Sequence, residues 1–162
     1  MNKKLLFVFT SLSFLLASCT SHADKAIDSI LQSNNPPVGV VFEIASGDDD
    51  GFKWAVPLVS SYAKQLRKKF PQIKLAVVSH GSEQFSLTKG NSQQYKESHK
   101  KVASLVKDQN IDFHVCGNFA SGHGLSENDF VDFIDVADRA PGQIDDYEAA
   151  GYTVLFVSKP TQ

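Results

Sequence analysis

The sequence predicts an α/β fold: one three-layer domain in which helices cover both faces of a five-stranded, mostly parallel sheet. Three observations carry this expectation. From residue 38 onward, short apolar runs alternate with segments of helical periodicity. Several of those runs are apolar at adjacent positions, as strands buried on both faces are. A chain of 162 residues, 42% hydrophobic and 21% charged, has the length and apolar content for one full core.

The strands are expected at 38–44, 73–78, 111–116, 133–137 and 153–157. Between the first two, Phe52, Ala55, Val56, Val59, Ala63, Leu66 and Phe70 recur at helical spacing. Arg67, Lys68 and Lys69 suit the negative carboxyl end of that helix, and Pro71 blocks its continuation. Pro57 inside the pattern implies a later start or a kink. A second helix is expected to begin near Asn91 or Ser92 and to present Tyr95, Val102, Leu105 and Val106. Ser126 and Asp129 have capping-box spacing for a short helical turn. Pro141 suits a first helical position, with Gly151 as the stop. The order βαβαβαβαβ places ligands or chemistry at the carboxyl ends of the strands.

Ahead of this domain, Lys3 and Lys4 precede an apolar stretch over 5–16, closed by Leu16-Ala17-Ser18-Cys19. An apolar core of about a dozen residues describes an export signal, since a membrane span needs roughly 20. Leucine, two small residues and a cysteine resemble a lipobox. Residues 1–18 therefore read as a lipoprotein signal peptide and Cys19 as the lipidation site, with membrane contact through the N-terminal lipid. The expected location is the cell envelope, on the periplasmic face of the outer membrane, because Thr20 stands where an aspartate commonly signals inner-membrane retention. Cleavage after Ala23, in Ser21-His22-Ala23, is the alternative and would give a soluble periplasmic protein. Residues 19–37 contain Ser33-Asn34-Asn35-Pro36-Pro37 and a weakly amphipathic set, Ala26, Ile27, Ile30 and Leu31. They read as a tether able to span about 60 Å, leaving 38–162 as the α/β domain. Loss of Lys3 and Lys4 takes the formal charge from −2 to −4, so no basic surplus points to nucleic acid.

At the strand ends, Ser46-Gly47-Asp48-Asp49-Asp50-Gly51 sets three carboxylates where a phosphate would need backbone donors. Helix capping is their expected role, and the acid spacing of an EF-hand is missing. A phosphoryl receiver domain shares acids after its first strand and a lysine after its last, here Lys159, but this third strand ends in Cys116 instead of aspartate. The second strand ends in His80-Gly81 and the third in His114-Val115-Cys116-Gly117-Asn118. Alternation puts His114 and Cys116 on one face, with Cys116 nearest the open edge. With Cys19 consumed by lipid, Cys116 is the one remaining thiol: buried, reactive or linked to another chain. A reactive cysteine works as its thiolate, which His80 or His123 would favour; a packed cysteine acts as a small apolar filler. A metal site built from His80, His114, Cys116 and His123 has suitable ligand types, but His114 and Cys116 are too close in sequence for a usual zinc pair. No metal and no other cofactor is expected.

The order of these pieces resembles the DsrE/DsrF-like sulfur-relay family, which includes the TusD and YchN groups and shares this flavodoxin-like layering. The resemblance covers about residues 38–159. It rests on the short first strand and long helix, His80-Gly81, Val115-Cys116-Gly117-Asn118, and Glu148-Ala149-Ala150-Gly151-Tyr152 before the last strand. It implies that Cys116 carries sulfur as a persulfide and that the protein forms homo- or hetero-oligomers. The lipoprotein signal, the tether and the run Asp48 to Asp50 depart from that family, whose sulfur relays are cytoplasmic, so the sulfur donor and acceptor stay open. The leading expectation is an envelope-located sulfur-handling protein, a carrier or low-turnover sulfurtransferase. The competing one is a membrane-tethered binding or assembly module in which Cys116 is structural.

Overall fold

The computed structural model describes residues 22–160. Five strands form one sheet: β1 (Gly39–Ile44), β2 (Lys74–Ser79), β3 (Asp112–Cys116), β4 (Asp135–Ala137) and β5 (Tyr152–Phe156). Their spatial order is β4-β3-β2-β1-β5, and every neighbouring pair is parallel. The helices are α1 (His22–Gln32), α2 (Phe52–Lys69), α3 (Lys96–Lys107), α4 (Gly117–Ser121) and α5 (Ala140–Ala149).

Alternation along the strands divides the core in two. Val40, Phe42, Ile44, Leu75, Val77, Phe113 and Val115 point to one face, where α1, α2 and α3 cover them with Ile27, Val59, Leu66, Val102 and Leu105 among others. Val41, Ala76, Val78 and Cys116 point to the other, where α5 supplies Ala140, with Ile144 and Tyr147 partly buried. The layering is lopsided: three helices against one. The chain winds from β1 out to β4 and then returns through α5 to the far side of β1.

Local chemistry sets the element ends. Gly151 adopts φ +86° after α5, a left-handed conformation that glycine enters without strain. Pro141 sits in the first turn of α5, where a missing N–H costs nothing. The Asp129 carboxylate accepts from the Ser126 N–H at 2.7 Å and from its hydroxyl at 2.7 Å, so the expected turn at this spacing forms as a short 3-10 helix. The Ser126 donors also hold the Asp129 carboxyl below its usual pKa.

Four expectations need correction. The first concerns the tether. Residues 22–32 are helical, and Ala23, Ile27 and Ile30, at i, i+4 and i+7, are buried in the main core. The Tyr62 hydroxyl donates to Asp24 at 2.6 Å, and Lys69 Nζ donates to the carbonyls of Leu31 and Ser33, closing the carboxyl end. An apolar stripe of three residues is enough here because α2 presents its own stripe alongside. Second, α3 begins at Lys96, since 82–87 and 89–91 wind as 3-10 turns beforehand. Third, α2 starts at Phe52 and runs through Pro57, which lies on its exposed side, so of the two expectations for that proline the later start falls. Fourth, the acidic turn places no aspartate at the helix cap: Gly51 occupies that position. Asp48 instead accepts from the Asp50 N–H at 3.0 Å, and Asp50 pairs with exposed Lys53 at 2.7 Å. The signal peptide and Cys19 lie outside the described residues.

Candidate functional site at the strand mouth

The carboxyl ends of β1, β2 and β3 open at one end of the sheet. Cys116 closes β3, with its sulfur facing α5. The last paired residues of β2 and β3 are Ser79 and Val115, so His80 and Cys116 follow at the same level and on the same face. The His80 ring, however, turns towards β1: its Nε2 lies 2.8 Å from Glu43 Oε1, and both side chains are about a quarter exposed, at 28% and 26%. His123 lies on the exterior against the rings of Phe119 and Phe85, at centroid distances of 4.6 and 4.9 Å. Its Nδ1–H donates to the Phe119 carbonyl at 2.8 Å. Neither imidazole contacts the sulfur.

What the sulfur does meet is the start of α5. The Ala140 N–H donates to Cys116 Sγ at 3.4 Å, the sole polar contact of that sulfur among the described residues. That donor belongs to the first residue of α5, at the amino end of the helix. Yet Cys116 is only 5% exposed, held with Val41, Ala76, Val78 and Ala140 in the smaller apolar cluster. The Asn118 N–H donates to the Asp138 carbonyl at 2.9 Å and ties α4 to the segment entering α5. A Cβ on Gly117 would come within 3.0 Å of the Ala137 carbonyl oxygen, so that glycine permits the close approach of β4's end. A reagent reaching the sulfur must displace part of this cover.

Two side chains that sequence reasoning missed shape the mouth. Glu83 is fully buried, yet its carboxylate accepts three bonds: from Ser46 N–H at 2.7 Å, Ser79 hydroxyl at 2.6 Å and Gly81 N–H at 3.0 Å. It staples the loop after β1 to the end of β2. Gln84, equally buried, bonds the Cys116 backbone through both ends of its amide. An acid and an amide in a short turn read as surface in a sequence; the one signal was neighbouring Gly81, where backbone approaches closely.

His114 faces α5 as expected from alternation but serves another partner. Its Nε2 is 2.8 Å from the Tyr147 hydroxyl. Burial lowers the His114 pKa, opposed by Asp135 and Asp112. Burial also raises the Tyr147 pKa, so the phenol stays protonated. His80, His114, Cys116 and His123 thus go to separate partners, and among the described residues no three His, Cys, Asp or Glu side chains converge as a metal site. Two concavities lie elsewhere. One of about 450 Å³ sits between α2 and α3, beside Pro57, Ser60, Lys64, Lys101 and Leu105; another sits at the opposite end of the sheet, beside Arg67, Lys74, Asp112 and Tyr152. Cys116 lines neither.

Fold and mouth together define a class: a small all-parallel α/β protein with one buried thiol at its strand ends. Among solved structures the chain is similar to MTH1491 from Methanobacterium thermoautotrophicum, itself described as a protein of unknown function. The two share 19% identity with a TM-score of 0.56, over 73% of this chain and 97% of that one. At this identity the likeness establishes the fold alone. No family model matches the sequence, and no curated protein matches it.

Proposed function

We propose that this is a DsrE/DsrF-like sulfur-handling domain, anchored in the cell envelope through Cys19, in which Cys116 accepts and passes on sulfane sulfur. The observation that carries the reading is the contact of the Ala140 N–H with Cys116 Sγ at the amino end of α5. It gives the sulfur a backbone donor at the strand mouth, where α/β proteins of this topology place their chemistry. The thiolate attacks the outer sulfur of a polysulfide, a shortened polysulfide leaves, and Cys116 becomes a persulfide. An acceptor thiolate then takes the outer sulfur and returns Cys116 to its thiolate. Both steps are exchanges at sulfur and call for no cofactor.

A second reading, an assembly module with a structural cysteine, is favoured by the 5% exposure of Cys116 and by the apolar β5 edge, where Phe156 is 48% exposed. Mass spectrometry of the native protein after exposure to polysulfide separates the two. Gain of one sulfur atom, reversed by reductant and missing in Cys116→Ser, supports the relay. A native chain that takes up no sulfur from polysulfide or thiosulfate leaves the assembly module in its place.

A further inference from the structure

Helix α1 fixes how an anchored domain would stand on its membrane. Asp24 lies beside Tyr62, and Leu31 and Ser33 lie beside Lys69, so α1 runs parallel to α2. Because α2 descends from the turn after β1, the amino end of α1 points to the same end of the sheet as the strand mouth. His22 begins the helix and the next residue, Ala23, is already buried in the core. Only three peptide units separate Cys19 from His22, which limits their separation to about 11 Å whatever path the chain takes.

Trp54 lies in the first turn of α2, at the mouth end of that helix. Trp54, Leu58 and Tyr62 are spaced by four residues along the flank of α2 that meets α1. Counting back from Tyr62, Trp54 is two turns nearer the mouth, about 12 Å along the helix. It is partly buried and the only tryptophan in the chain. A ring with an apolar body and an N–H is suited to the headgroup level of a bilayer. The carboxylates of Asp48, Asp49 and Asp50 at the mouth disfavour burying that turn in an anionic headgroup layer. Contact therefore falls on the Trp54 flank.

We propose that the domain is held against a lipid surface, with the Trp54 flank nearest the headgroups, and is not suspended from it. This rests on the anchor reading of Cys19. The probe is energy transfer from tryptophan to a dansyl headgroup in phosphatidylethanolamine/phosphatidylglycerol vesicles carrying the full lipidated protein, with fatty-acid incorporation scored on the same sample. Trp54 should transfer several-fold more efficiently than a tryptophan moved just beyond the far end of α2, in the Trp54→Phe, Gln72→Trp pair. Inserting about 30 Gly/Ser residues between Ser21 and His22, with a mean span of roughly 30 Å, should depress transfer from Trp54. A chain that takes up no fatty acid overturns the anchor reading and this inference with it. A lipidated chain whose two tryptophan positions transfer equally, or whose transfer ignores the insertion, overturns this inference alone.

Discussion

The side-chain amide of Gln84 clasps the backbone of Cys116 from both sides: Oε1 accepts the Cys116 N–H at 2.8 Å, and Nε2 donates to the Cys116 carbonyl at 3.3 Å. The reason lies in the sheet. β2 pairs with β3 only as far as Ser79 and Val115, whereas β4 continues along β3 to Ala137 opposite Cys116. Gln84 thus replaces a ladder partner that β2 no longer provides, and it fixes the residue whose sulfur faces Ala140.

Gln84→Leu keeps the volume and removes both bonds. It leaves a buried N–H and a buried C=O without partners, so it should destabilise the domain by about 2–4 kcal/mol. Urea unfolding measures this as a lower midpoint at unchanged slope. A loss below about 0.5 kcal/mol would mean that water or β2 replaces the amide at no cost.

Glu83 makes a second, separable case. Glu83→Gln is nearly isosteric, but its NH₂ would face either the Ser46 N–H or the Gly81 N–H, and donors cannot bond donors. A cost on the order of 2–4 kcal/mol is expected. Gly81→Ala should also destabilise, by about 3 kcal/mol, because its Cβ would press on the Ser46 backbone and the Glu83 carboxylate. Gly47→Ala, in the loop after β1 that holds Ser46, meets open space and should change stability by no more than about 0.5 kcal/mol. Equal effects at the two glycines would show that the staple does not shape the mouth.

The sheet was legible because parallel strands buried on both faces leave adjacent apolar residues, as in Val40-Val41-Phe42 and Ala76-Val77-Val78. Helix α1 was not. Its apolar stripe is short, and Asn34-Asn35-Pro36-Pro37 speaks for a loop; only packing against α2 decides the matter. The mouth was half legible. Alternation put Cys116 at the end of β3 and on the α5 face, but hydropathy cannot tell a covered thiol from an open one. His80 and His123 gave no sign that they would turn to Glu43 and to the Phe119 carbonyl. Glu83 and Gln84 were invisible because their burial follows from backbone donors and acceptors left over by the sheet, which have no sequence signature.

His114 ties stability to pH. Burial holds its folded-state pKa below the ordinary 6.5, so the unfolded chain binds that proton more readily. This contribution is complete above about 6.5 and is lost as pH falls from there towards the folded-state value. Urea midpoints taken from one unit above 6.5 to one unit below should decline, and His114→Gln should flatten that decline. Parallel declines in both proteins would place the titrating group elsewhere.

The sulfur itself discriminates between the two functional readings through the way its labelling responds to denaturant. Cys116 is 5% exposed, behind Ala140 and the segment tied to Asn118. If it is a working thiol, a local opening of that cover must admit reagents, and such an opening exposes little surface. Its labelling rate should then be nearly independent of urea well below the unfolding transition. If Cys116 is packing alone, only global unfolding exposes it, and the logarithm of the rate should climb with urea at the full equilibrium slope under fast reclosing. We expect the first pattern, with labelling faster in Gln84→Leu than in wild type after correction for its lower stability. The full slope in wild type would sink the relay reading, since a thiol reached only by unfolding cannot exchange sulfur in the folded protein.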